Sequence, residues 1–187
     1  SFRTYTLLAQ GLAAAGIRSL RYDKRGIGES RGLMTRESDL VLQHFVDDAV
    51  TAGRDLAARP EVSAVIIAGH SEGALLTTLA ASKLACAGIA LLAGPGRRLD
   101  VILREQLMAM PLPPDQEHYR KEALEILGKL ASGQRVPNIP PAQMALFRPS
   151  VQPFLISMFA IDPAGAHDSC VCQSCSTGTA VHCQHRC

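Results

Sequence analysis

Tryptophan is absent from this 187-residue chain and aromatic residues make up only 4% of it, so any core must be aliphatic. Charge of one sign is also scarce. A net +2 argues against the broad basic surface that nucleic acid or an anionic membrane would need. A membrane span needs about 20 consecutive apolar residues. The nearest approach, Gly73–Gly96, is broken by Lys83, two threonines and Gly88. No signal-peptide pattern is legible, which favours a cytoplasmic location. What remains is 47% apolar and 19% charged, the balance of a soluble globular domain long enough to bury its own core. Oligomeric state leaves no mark on the sequence.

Along residues 1–96 helix and strand patterns alternate. Phe2–Ala15 carries Tyr5, Leu8, Ala9 and Leu12 on one helical face, and Gly16 closes it. Ile17–Tyr22 reads as a strand, and Asp39–Arg59 as a helix with Val41, Phe45, Ala49, Ala52 and Leu56 in one stripe. Ser38 or Asp39 is placed to cap that helix and Pro60 to stop it. Ser63–Ala68 and Ile89–Ala93 read as short buried strands, with a helix between them to about Ala87. Such alternation predicts an α/β fold with a parallel sheet flanked by helices.

At the end of the Ser63–Ala68 run stands Gly69-His70-Ser71-Glu72-Gly73. This is G-x-S-x-G between a strand and a helix, the context of a nucleophile elbow. The turn is tight, so a side chain at either glycine is expected to collide with the neighbouring strand or helix. Ser71 is the candidate nucleophile, lifted out of the sheet at a helix N-terminus where negative charge is favoured. His70 reads as a packing residue rather than a base, because neighbours along a tight turn point apart. The glycine-rich loop Asp23–Ser30 lacks both G-x-G-x-x-G and G-x-x-x-x-G-K-[ST], so Asp23 and Arg25 are read as fixing the loop by hydrogen bonds rather than holding phosphate.

Residues 97–160 carry helix patterns only: Leu99–Met110, Pro114–Leu130, Pro141–Phe147 and Val151–Phe159, separated by proline pairs. An all-helical insertion after a sheet strand reads as a lid. Its apolar positions, including Met108, Met110, Met144 and Phe147, could line an acyl pocket. Packing against the sheet is the commoner use of such a stripe, and takes precedence. Residues 161–187 form an irregular Cys/His-rich tail, with five cysteines in the last eighteen residues. One reading is an aberrant terminus from a shifted reading frame, because periodicity stops after Pro163. The other is a disulfide or zinc tail using Cys172, Cys175, His182 and His185.

Tyr22-Asp23-Lys24-Arg25-Gly26-Ile27-Gly28-Glu29-Ser30, then Gly69–Gly73, then Leu91-Leu92-Ala93-Gly94-Pro95-Gly96 together resemble the α/β-hydrolase superfamily. The likeness is greatest to its bacterial carboxylesterase and serine-aminopeptidase-like branch with a helical cap, over about residues 2–163. The resemblance implies a partial α/β-hydrolase core at 1–96, a helical lid at 97–160, and hydrolysis of carboxylic esters with short acyl groups favoured. It implies Ser71 as nucleophile and the backbone N–H of Glu72 as one oxyanion donor. No metal or organic cofactor is implied, and the partner is a small-molecule ester, not nucleic acid. Triad acid and base are expected in the order Ser…Asp/Glu…His. Neither is recognisable here, since Asp162 comes one strand too early, Asp168 follows no strand, and His167, His182 and His185 match nothing in the family. The third strand and the second oxyanion donor are likewise expected outside this sequence. A serine peptidase or thioesterase would use the same elbow, and an inactive fragment or binding module would keep it without the chemistry.

Overall fold

Two five-residue parallel strands, β1 (Ile66–His70) and β2 (Gly88–Leu92), pair in register from Ile66–Gly88 to His70–Leu92. The helix joining them, α3 (Glu72–Ala81), lies over them, as a parallel crossover requires. The computed structural model describes residues 2–33 and 36–168. It forms two compact units, Ser1–Met34 and Thr35–Cys187.

In the first unit α1 (Phe2–Ala14) ends where Gly16 takes a φ of +76°, a conformation that favours glycine. The Ile17 N–H then turns back to the Leu12 carbonyl at 2.9 Å. Ile17–Tyr22 is not a strand: it joins no sheet ladder among the described residues, and Ile17, Leu20 and Tyr22 are exposed. β-Branched and aromatic residues make a strand only when a ladder satisfies its backbone. In the Asp23–Ser30 loop the Asp23 carboxylate accepts the Glu29 N–H at 3.0 Å, in keeping with the structural role read for Asp23.

The second unit begins with a short 3₁₀ turn, Glu37–Asp39, and then α2 (Leu42–Ala57). The buried face of α2 is Leu42, Phe45, Val46 and Val50 rather than the expected stripe from Val41 to Leu56; only Phe45 is common to both. This face meets Leu75, Leu76 and Ala80 of α3 and Met158 in one aliphatic core, with Ile67 of β1 packed against it. Within this unit β1 is covered on one side only. Its burial alternates, and Ile66 is 67% exposed, so the fully buried strand expected at Ser63–Ala68 is instead a half-buried one starting at Ile66. Among the described residues no third strand flanks it.

Residues 99–159 are helical: α4 (Leu99–Ala109), α5 (Glu117–Ala131), α6 (Met144–Phe147) and α7 (Gln152–Phe159). α5 buries Ala123, Ile126, Leu127 and Leu130, an i, i+3, i+4, i+7 stripe. These meet Phe147, Leu155 and Phe159 in a second core, with Leu103 and Leu107 of α4 against it. α7 joins the two cores. Leu155 and Phe159 face one, while Met158 and Phe154 face the other, where Phe154 meets Phe45 edge-on at 5.3 Å between ring centroids. Gln152, 1% exposed, accepts the Val136 N–H at 2.9 Å and donates to the carbonyls of Val136 and Phe147 at 2.7 and 2.9 Å. A buried carboxamide is stable there because both its ends are bonded. A last short helix, α8 (Pro163–Asp168), starts where the Asp162 carboxylate accepts the Ala164 N–H at 3.1 Å. Cys170, Cys172, Cys175, Cys183, Cys187, His182 and His185 lie outside the described residues, as do the side chains of His167 and Asp168.

Candidate active site

Ser71 lies between the last residue of β1 and the first of α3, with φ 56° and ψ −120°. A non-glycine residue in that region is strained, and the surrounding structure must hold it there. Three contacts do so. The Ser71 N–H donates to the Leu92 carbonyl at the end of β2 at 2.9 Å, and the Ser71 carbonyl accepts the Ala74 N–H at 3.0 Å, opening the helix. Gly69 supplies the third. A Cβ there would stand 2.0 Å from the Gly73 carbonyl oxygen and 2.5 Å from Thr77 Oγ1, so only glycine lets the helix start against the strand. Gly73 differs from expectation: a Cβ on it would meet nothing within 4 Å, so a side chain there would collide with neither strand nor helix.

The Ser71 side chain is exposed and makes no capping hydrogen bond, so its hydroxyl is not committed to α3. Glu72 holds the first helical position, where an N–H has no acceptor within its own helix. His70, expected as a packing residue, instead lies on the exposed side of β1. Asp162 is taken up as the cap of α8.

Beside Ser71 and Glu72 opens a hollow of about 400 Å³. Its apolar wall is Leu75 of α3, Leu99 and Ile102 of α4, and Met158 and Ile161 at the end of α7. Gln106 of α4 adds a polar side chain. The Ala93–Arg98 loop forms a further side through Ala93, Gly94 and Pro95. Two ion pairs hold this loop to α4: Arg97 to Glu105 at 2.6 and 2.8 Å, and Arg98 to Asp100 in its first turn at 3.0 and 3.2 Å. The hydrogen bonds from Arg97 keep the Glu105 carboxyl below its ordinary range.

Of the residues read from sequence, Ser71 and Glu72 come together at this hollow. Met108, Met110, Met144 and Phe147 do not join them. Met108 lines a separate groove with Arg104, His118, Arg120 and Lys121, and is 57% exposed. Met110 and Met144 are exposed, and Phe147 is fully buried in the second core. The rest of the hollow's lining carries no motif in the sequence. Leu99, Ile102 and Gln106 fall at i, i+3 and i+7 of α4, a face that periodicity could have picked out. Met158 and Ile161 carry no local signal.

Residues 1–150 match the profile of the family described as serine aminopeptidase, S33. Esterase EstD of Thermotoga maritima is 34% identical over 146 residues, which cover 76% of this chain and 33% of the relative. The chain therefore spans about a third of the length of that relative. No solved structure matches the chain. Among the described residues no helix is long and apolar enough to cross a membrane.

Proposed function

Because the chain belongs to the serine aminopeptidase S33 family of α/β-hydrolases, we propose that it carries the nucleophile portion of a serine hydrolase acting on carboxylic esters with short acyl groups. The observation that carries the proposal is Ser71 itself. A serine held at φ 56° on a strand-to-helix turn, with its hydroxyl outside the helix cap and an apolar hollow beside it, has the attributes of an activated-serine position.

The chemistry follows. Ser71 Oγ attacks the ester carbonyl carbon while a base removes its proton. The carbonyl electron pair moves to oxygen, and the Glu72 N–H at the start of α3 would stabilise that oxyanion. Collapse expels the alkoxide, which takes up the proton, and leaves an acyl group on Ser71. Water then repeats the sequence and releases the acid. The hollow beside Ser71 would hold the acyl group, and the helical segment 97–160 would act as its lid over a 1–96 core. Base and acid are assigned to no residue of this chain. An ester is favoured over a peptide by the relative described as an esterase. The substrate is a small molecule, with nucleic acid set aside on charge.

Acylation tests the reading directly. The chain is incubated with excess p-nitrophenyl acetate, and intact mass with peptide mapping locates the acetyl group. Modification of Ser71, lost in Ser71→Ala, is expected at a rate far below that of a complete triad. Acetylation unaffected by Ser71→Ala would overturn the assignment. The second reading, an inactive binding module, draws on one observation: among the described residues the Ser71 hydroxyl has no hydrogen-bond partner that could serve as base. A chain that binds short esters without ever acylating would decide for it.

A further inference from the structure

The five glutamines of the helical segment divide by what their carboxamides do: Gln143 and Gln152 are bonded, whereas Gln106, Gln116 and Gln134 have no side-chain partner among the described residues, and of these three only Gln106 lines the hollow. Gln152 is bonded at both ends, as described above, and Gln143 donates to the Tyr119 carbonyl at 2.8 Å. Gln106 has no side-chain partner among the described residues, is exposed, and lines the hollow beside Ser71. It shares one face of α4 with Leu99 and Ile102, so the face runs from apolar to polar over about 10 Å, taking 1.5 Å of rise per residue. Leu99, at one end, packs against both cores; Gln106, at the other, meets solvent. Apolar walls with a few placed polar groups are how small-molecule sites fix orientation.

We propose that Gln106 is a specificity-determining residue whose carboxamide hydrogen-bonds a polar atom of the substrate several bonds removed from the reacting ester. The favoured substrates are then esters whose short acyl chain is apolar against Ile102 and Leu75 and carries a carbonyl, hydroxyl or amide farther out. This rests on the reading of the hollow as the acyl site. Neither Gln106 nor the polar acyl group takes part in the bond-making step, so the effect is on binding.

The test uses a matched pair of probes, ethyl 5-oxohexanoate and ethyl 5-methylhex-5-enoate, which differ only in C=O against C=CH₂. Affinities are read from the methyl shifts of Leu75 and Ile102 in the full chain. In Gln106→Leu, affinity for the keto ester should fall about threefold to tenfold, the worth of one neutral hydrogen bond, with the alkene ester unchanged or slightly tighter. The exposure of Gln106 and its lack of side-chain partners leave the fold of this variant intact. Equal weakening of both esters would mean a merely structural role and overturns the proposal. So does an unchanged keto-ester affinity, even while both esters shift Leu75 and Ile102, and in that case the acyl-site reading survives. If neither ester shifts those methyls in the unmodified chain, both readings fall together.

Discussion

The Ser157 hydroxyl accepts the N–H of Leu42 at 2.8 Å across 115 positions of sequence. Leu42 is the first residue of α2, and Ser157 sits in α7, whose own Phe154 carbonyl accepts the same hydroxyl's proton at 2.7 Å. One of the orphan donors at the start of α2 is therefore satisfied by a helix from the far end of the chain. Asp39, a local candidate for that task, is engaged instead by Arg36 at 2.9 Å.

Removing this cap should cost about 1 kcal/mol, the usual worth of a side-chain N-cap. In urea unfolding, Ser157→Ala should lower the midpoint without changing the slope. Asp39→Ala should have a smaller effect. A larger loss from Asp39→Ala than from Ser157→Ala would assign the cap to the wrong residue.

That cap also marks where local reading of the sequence stops. The helices from α2 to α7 and both strands of the sheet are legible because their apolar residues recur at the helical period or run together as strands do, and α5 follows the rule to the residue. Ile17–Tyr22 fails because strand formation is not local: its residues suit a strand, but among the described residues no ladder takes it up. Ser71 is legible from G-x-S-x-G because a tight turn imposes a local spacing. The residues that line its hollow come from α3, α4 and the end of α7, and only the packing of those helices brings them together.

Acid should weaken the contact between the Glu37–Asp39 turn and the α6–α7 connection. Arg148 and Ser150 both donate to the Glu37 carboxylate, and chiefly the Arg148 bond holds its carboxyl below the ordinary value of 4.5. A carboxyl depressed on folding stabilises the fold fully above its unfolded value, and the contribution is lost as pH falls through the lower folded one. Both side chains are partly exposed, so Glu37→Gln should cost only about 1 kcal/mol near neutral pH. Thermal melts from neutral to acid pH should show a constant gap between the two proteins that narrows only below about pH 4.5. A gap that widens in acid would contradict the ion pair.

The two glycines of the elbow should respond oppositely to alanine. Gly69→Ala drives a Cβ into backbone atoms of Gly73, 2.0 and 2.3 Å away, that cannot yield without moving α3 from β1. A loss of about 3 kcal/mol, the upper part of the overpacking range, is expected, with release of Ser71 from its strained turn. Gly73→Ala meets open space in the first turn of α3, where alanine is the better helix former, so stability should be unchanged or rise by about 0.5 kcal/mol. Chemical denaturation of the two variants side by side checks this, and comparable losses would mean that Gly73 also faces a neighbour.

Strain at Ser71 gives glycine an advantage over serine at that position. At φ 56° and ψ −120° an L-residue pays for its Cβ, whereas glycine does not. Ser71→Gly should therefore raise stability by about 1 kcal/mol, although it deletes the side chain proposed as the nucleophile. Ser71→Ala keeps the Cβ and the strain, so it should leave stability close to that of the original chain. Since the Ser71 hydroxyl makes no cap hydrogen bond, neither variant loses an interaction that would offset the gain. Melting temperatures in the order Ser71→Gly above the unmodified chain, with Ser71→Ala beside it, would give strain held for function. If glycine and alanine shift the melt equally, the turn carries no such strain, and the hydroxyl alone accounts for the difference.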